Sequence, residues 1–250
     1  MLELRSISTG YGDNTVLEEL TATLHEGKLT SIVGANGCGK STLLRATLGM
    51  LPLSHGELTI DGNALSSLSR TEIARRIAYL PQGKSTPEMT VEQMVLHGRF
   101  PYLSYPRRYR EQDREIAKRA MCDVGISHLA HKTLHTLSGG MRQTAYLAMA
   151  LAQDTDYILL DEPTTYLDIA HGLTLMKLLR RLTAEGKGIV AVMHDLPLAF
   201  DFSDEIIVIS KGKVVCQAEP TEVCSSSVIR EIFGVDMGRR EENKFYYQYQ

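Results

Sequence analysis

Apolar and polar positions alternate through the first thirty residues. Leu2, Leu4 and Ile7 are followed by Val16, Leu17, Leu20 and Leu24, with Gly10, Gly12 and Asp13 between the two sets. A period of two with a glycine-containing break predicts an antiparallel strand pair joined by a turn. Residues 29–33 read as a short buried strand that leads straight into a glycine-rich loop. A helix is expected over 41–51, stopped by Pro52. Strands are expected over 56–60, ended by the turn dipeptide Asp61-Gly62, and over 77–80.

From about 83 to 155 the pattern becomes helical, with segments at 91–97, 112–124 and 138–153 around a Tyr-, Pro- and Arg-rich connection at 101–109. Strand and helix then alternate again: strand 157–161, helix 169–184, strand 188–193, helix 197–202. A hairpin turning at Lys211-Gly212 joins strands near 206–209 and 214–216, and two short helices follow. The Tyr- and Gln-rich end, 245–250, is expected to be a terminal strand or a loosely ordered tail. This order predicts an α/β fold with a mixed, largely parallel sheet, an N-terminal antiparallel β part and an inserted α-helical lobe. The whole chain, 1–250, reads as one domain. Its core lobe covers about 1–82 and 156–250, and its helical lobe about 83–155.

Composition narrows the function by exclusion. A formal net charge of -3 and a pI of about 6.2 supply no general attraction to nucleic acid or to an anionic membrane. The N-terminal residues lack a signal-peptide pattern. No run approaches the roughly 18 apolar residues needed to cross a bilayer. A cytoplasmic protein is expected, whose membrane role, if any, runs through a partner. Cys38, Cys122, Cys216 and Cys224 show neither metal-site nor redox spacing and read as reduced thiols, with Cys38 open to oxidation by its place in the loop.

The chemistry begins at Gly34-Ala35-Asn36-Gly37-Cys38-Gly39-Lys40-Ser41, which fits G-x-x-x-x-G-K-[ST] between a strand and a helix, with Thr42 next. Glycines allow successive N–H groups to turn inward around a phosphate, and the helix N-terminus adds a positive end. Lys40 supplies a point charge for the β and γ phosphates, and Ser41 an oxygen for Mg²⁺. The apolar run at 157–160 ends in Asp161 and Glu162. Asp161 is placed to hold Mg²⁺, and Glu162, one residue on, to orient or deprotonate the attacking water. At Leu137-Ser138-Gly139-Gly140, Ser138 is a good N-cap and the two glycines let a phosphate approach a second helix N-terminus. Two phosphate-binding termini in one chain make sense if two monomers meet head to tail.

With these three motifs the chain resembles the ATP-binding cassette family over essentially its whole length, and so implies a P-loop NTPase core. By that resemblance Tyr11 stacks on adenine, and Gln82 is the glutamine that contacts Mg²⁺ and the attacking water. Asp168, in Thr165-Tyr166-Leu167-Asp168, crosses the dimer interface, and His194 is the switch histidine that contacts the γ-phosphate. The implied ligands are ATP and Mg²⁺. Met141 departs from the family, which usually has Gln after the two glycines. His128, His131 and His135 have a spacing that could serve zinc on one helix face, but read better as a solvated polar segment.

A single short cassette resembles the ATPase subunit of a bacterial importer, a homodimer on two transmembrane permease subunits with an extracytoplasmic substrate-binding protein. Residues 97–102, 149–153 and 167–169 look like the group importing iron–siderophores, haem and cobalamin, with oxyanion importers as relatives. Three other readings stay open: a soluble ABC ATPase serving a non-transport machine, a non-hydrolysing nucleotide switch, and a P-loop metabolite kinase.

Overall fold

The computed structural model of the protein describes residues 1–83, 86–165, 167–239 and 245–248. Strands β1 (Leu2–Tyr11) and β2 (Asn14–Leu24) pair antiparallel across the turn at Gly12-Asp13. After β3 (Leu29–Gly34) and helix α1 (Lys40–Thr47), the short strands β4 (His55–Ile60) and β5 (Asn63–Ala64) join that first pair. The result is an antiparallel sheet ordered β2-β1-β4-β5.

Helix α1 ends earlier than the expected 41–51, and Pro52 is not what stops it. Gly49 takes a φ of 64°, its N–H donates to the Ala46 carbonyl, and the Met50 N–H reaches back to Arg45. This paired return of bonds at a left-handed glycine closes a helix before any proline acts. Helix α2 (Arg70–Arg76) was not anticipated, although Ser69 and Glu72 form a reciprocal capping box at its start. Seven residues are too few for periodicity to register, but that capping signal was readable.

Strand β6 (Ile77–Leu80) leads into α3 (Val91–His97), α4 (Glu111–Asp123) and α5 (Gly139–Ala152). Then come β7 (Tyr157–Asp161), α6 (Ile169–Ala184), β8 (Gly188–Val192), α7 (Leu196–Phe202), β9 (Glu205–Ser210) and β10 (Lys213–Ala218). The main sheet is ordered β10-β9-β3-β8-β7-β6, parallel except for β10. Alternation along its strands feeds two cores. Ile32, Leu159, Val190 and Ile207 face α1 and the antiparallel sheet. Val33, Leu160, Ala191 and Val208 face the opposite way, in one continuous cluster with residues of α3, α4, α5 and α6. The three helices after β6 therefore share a core with the sheet rather than owning one.

Helices α8 (Pro220–Ser225) and α9 (Val228–Phe233) precede a hairpin of β11 (Asp236–Arg239) and β12 (Phe245–Gln248). So the aromatic tail does contain a strand, and it docks on α7. Phe245 packs edge-on against Phe200, and its N–H donates to Asp201 at 2.7 Å. Residues 249–250 lie outside the described residues. His128 and His135 fall on separate 3₁₀ turns, Ser127–Leu129 and Leu134–Thr136, rather than on one helix face. His131 lies 3.7 Å from Glu92.

Arg99 is a buried charge that ties the end of α3 to α4 and to the end of α5. Its Nε donates to Asp113 at 3.1 Å, its Nη1 to the Ala152 carbonyl at 3.0 Å, and it stacks over Tyr102 at 4.0 Å. Both ionic partners are about 6% exposed. Removing one partner of such a pair strands the other charge in a poorly solvated place. Arg99→Ala is expected to destabilise the fold by about 3–5 kcal/mol in urea unfolding. A loss below about 1 kcal/mol would show that water reaches Asp113.

Candidate active site

All the motif residues of the sheet lie at the carboxyl ends of its parallel strands, where open α/β sheets bind ligands. β3 runs into the loop through Gly34, Ala35, Asn36, Gly37, Cys38 and Gly39, and α1 starts at Lys40. Two of these glycines are required by the backbone. A Cβ on Gly34 would lie 2.3 Å from the Ile209 carbonyl oxygen and 2.7 Å from Cys38 Sγ. Gly39, the residue before α1, sits at φ 109°, with Leu17 2.6 Å from where its Cβ would be. Cys38 is buried, and burial pushes its thiol pKa up, against the pull of Lys40. That disfavours the thiolate that oxidation would need.

Lys40 curls back over the loop, donating to the carbonyls of Gly34 at 2.8 Å and Ala35 at 3.0 Å. An ammonium has three donors, so one remains for a phosphate oxygen. Ser41 donates to Asp161 Oδ1 at 3.0 Å, and Thr42 is buried in the first turn of α1. Asp161 closes β7 and is 1% exposed. Burial raises its pKa, and the bonds from Ser41 and Tyr79 only partly offset that cost. A hydroxyl and a buried carboxylate oxygen in contact are a hard-oxygen pair of the kind that suits Mg²⁺, which takes few protein ligands and completes its shell with phosphate and water.

Glu162 follows with φ 53°, a left-handed conformation uncommon for a residue with a side chain. The turn swings its carboxylate away from Asp161 and into a separate cluster. Gln82 Nε2 donates to Oε2 at 2.6 Å, Thr165 Oγ1 donates to the same oxygen at 3.0 Å, and His194 Nε2 stands 2.7 Å from Oε1. Burial works to raise the Glu162 pKa, but the bonds from His194 and Thr165 outweigh it and the net shift is downward. The group is thus an ionised carboxylate at neutral pH. Three contacts use three of about four acceptor positions, leaving one for a water proton. Gln82 spends its amide nitrogen on this contact and keeps its carbonyl oxygen for another partner.

The structure therefore gathers Lys40, Ser41 and Asp161 into one group and Gln82, Glu162 and His194 into a second beside it. Tyr11 sits at the end of β1, half exposed, and its hydroxyl accepts from Arg45 Nη1 at 3.0 Å. Ser138, Gly139 and Gly140 are elsewhere. Ser138 caps α5 by accepting from the Met141 N–H at 3.3 Å. Among the described residues, no hydrogen bond joins 138–140 to the loop 34–42. The Met141 side chain is half exposed and takes no part in the cap, which uses only its backbone. Asp168 caps α6 within its own chain, accepting from the His171 N–H at 2.8 Å with His171 Nδ1 at 2.7 Å. Tyr166 lies outside the described residues. Tyr79 and Arg45, both in contact with this site, carry no motif and were not singled out from the sequence.

A buried carboxylate, a phosphate loop and a second carboxylate with a glutamine and a histidine define a nucleotide hydrolase of the P-loop class. A family model described as ABC transporter matches residues 17–165, and the chain belongs to that family as an ATP-binding, ATP-hydrolysing subunit. It is 43% identical over 231 residues to the ferric enterobactin transport ATP-binding protein FepC of Escherichia coli (strain K12), covering 92% of this chain and 85% of that one. It is 41% identical over 237 residues to the petrobactin import ATP-binding protein FpuD of Bacillus anthracis, covering 94% and 87%. A solved inward-facing ABC transporter superposes with a TM-score of 0.84 at 25% identity, covering 100% of this chain and 98% of that one.

The raised pKa of Asp161 makes a stability prediction. An acid raised in the folded state weakens the fold while ionised, and the burden lifts as pH falls through its folded value. Asp161→Asn, without nucleotide or metal, is therefore expected to raise the thermal midpoint at pH 7. The gain should fade as the pH enters the carboxylate range. A midpoint at or below wild type at pH 7 would contradict the burial argument.

Proposed function

We propose that this chain powers a bacterial importer of a metal chelate as a homodimer. Two copies dock on two permease subunits at the cytoplasmic face of the membrane, served by an extracytoplasmic substrate-binding protein. The observation that carries the importer reading is near-full-length similarity to subunits of petrobactin import and ferric enterobactin transport. It spans more than nine-tenths of this chain, well beyond the nucleotide motifs. No helix among the described residues is long and apolar enough to cross a membrane, so translocation falls to partner subunits.

In this reading Tyr11 stacks on adenine, and Asn36, Gly37, Gly39 and Lys40 surround the β and γ phosphates. Ser41, Asp161 and the Gln82 carbonyl would hold Mg²⁺, which would supply positive charge beside the phosphates. Glu162 takes up the proton of the attacking water, and His194 contacts the γ-phosphate while restraining that carboxylate. Ser138 and Gly140 of one copy close over the nucleotide of the other, with Asp168 lying along the same interface. The support for pairing is geometric: the chain carries the phosphate-loop and signature motifs at two helix N-termini that no hydrogen bond joins among the described residues. The helical lobe reaches the catalytic groups through Arg142, which bonds Thr86, and Gln143, which bonds the Pro163 carbonyl. Those two links would transmit closure to the permease.

Glu162→Gln is expected to bind ATP, to lose at least about a hundredfold in phosphate release, and to accumulate as a dimer. Light scattering in saturating Mg-ATP checks this, and a persistent monomer would remove the paired-site reading. Purification of the chain from native membranes is expected to bring a multi-spanning permease in equal amount. Recovery only from the soluble fraction would overturn the importer reading while leaving the ATPase chemistry intact.

A further inference from the structure

Two side chains outside the nucleotide motifs converge on the carboxylate of Asp161. Its Oδ1 accepts from Ser41, while its Oδ2 accepts from the Tyr79 hydroxyl at 3.3 Å. Strand register explains the second contact. In the parallel pair of β6 and β7, Tyr79 stands opposite Leu159, so Asp161 is its diagonal neighbour on the same face. An aromatic side chain spans such a diagonal. Helix α1 crosses this face, and Arg45 follows Ser41 by one helical turn, on the same side of the helix.

Arg45 links this pair to the other end of the site. Its guanidinium donates to the Tyr11 hydroxyl at 3.0 Å, and its positive charge acts on the nearby Tyr79 hydroxyl. The donor roles are consistent throughout. A guanidinium only donates, so the Tyr11 phenol accepts from it, and Tyr79 gives its own proton to Asp161.

We propose that Tyr79 is the positioning residue for Asp161, and that Arg45, bonded to Tyr11 and lying beside Tyr79, couples the nucleobase platform to the metal-side carboxylate through one guanidinium. This rests on the reading of Asp161 as a magnesium ligand and of Tyr11 as the base contact. The terminal torsion of an aspartate is soft, so one bond from Ser41 leaves the carboxylate plane free to rock. The second bond, from Tyr79, holds both oxygens and keeps Oδ1 aimed beside Ser41. Outer partners of this kind typically contribute about 10–100-fold in metal affinity. Arg45 extends the restraint to Tyr11, a half-exposed ring at a strand end with little else to fix it.

The test uses Mn²⁺ as the probe, titrated by electron paramagnetic resonance into the full chain saturated with a non-hydrolysable ATP analogue. Tyr79→Phe keeps the ring and removes only the hydroxyl. It is expected to raise the Mn²⁺ concentration for half-saturation about tenfold, while analogue affinity in EDTA changes far less and the thermal midpoint stays near wild type. Arg45→Met is expected to weaken both Mn²⁺ binding and analogue affinity in EDTA, because it removes the cation that holds Tyr11 and lies beside Tyr79. Wild-type Mn²⁺ binding in a folded Tyr79→Phe protein would overturn the proposal, as would an Arg45→Met effect confined to one of the two measurements. Asp161→Asn separates the two levels. If it abolishes tight Mn²⁺ binding while Tyr79→Phe does not, only the positioning role falls. If Asp161→Asn binds Mn²⁺ as wild type does, the underlying metal-site reading falls and takes the proposal with it.

Discussion

The bond from Ser41 to Asp161 fastens the first turn of α1 to the end of β7, and the active site is arranged around it. It exists because a sheet covered on both faces by apolar side chains has only its strand ends available for polar groups. β3, β7 and β8 each stop at that end, and each hands over to a residue that nucleotide chemistry needs: Gly34, Asp161 and, just beyond Met193, His194. The cost of the arrangement is visible in Asp161, whose burial works against its own charge. A bound cation beside Ser41 would offset that cost.

Glu162 offsets the same burden with hydrogen bonds that a backbone turn brings within reach. Its left-handed conformation separates two adjacent carboxylates, placing one against Ser41 and Tyr79 and the other against Gln82, Thr165 and His194. Two like charges in one cradle would not both stay ionised. Separated, one is suited to hold a metal and the other to accept a proton. The glutamine in that second cluster follows β6, at the start of the connection to the helices, so motion of the helical region has a short path to the base.

Much of this was legible along the chain. The β1–β2 pair, β6, β7 and α6 announce themselves by period and by turn residues, and the loop 34–41 and the carboxylates 161–162 by spacing. What escaped the sequence had a physical reason in each case. Helix α1 was extended to Pro52 because its true stop, Gly49, acts through a left-handed turn that a search for proline overlooks. Helix α2 is too short to show a period, and only its capping box marks it. Tyr79 and Arg45 reach the site through strand register and a helical turn, and register between β6 and β7 is a contact across about eighty residues of intervening chain. The meeting of Gln82, Glu162 and His194 is likewise a product of the sheet order, in which β8 and β6 flank β7.

The central claim is that one chain supplies two halves of different sites, a phosphate loop and a capped signature helix, and that hydrolysis needs both. Steady-state phosphate release per chain, measured across a wide range of protein concentration, addresses this directly. Specific activity is predicted to rise with concentration and then level off as pairs form. Constant specific activity down to dilutions where the chain is monomeric would contradict the account, and no Mg-ATP-dependent release at any concentration would contradict it more deeply.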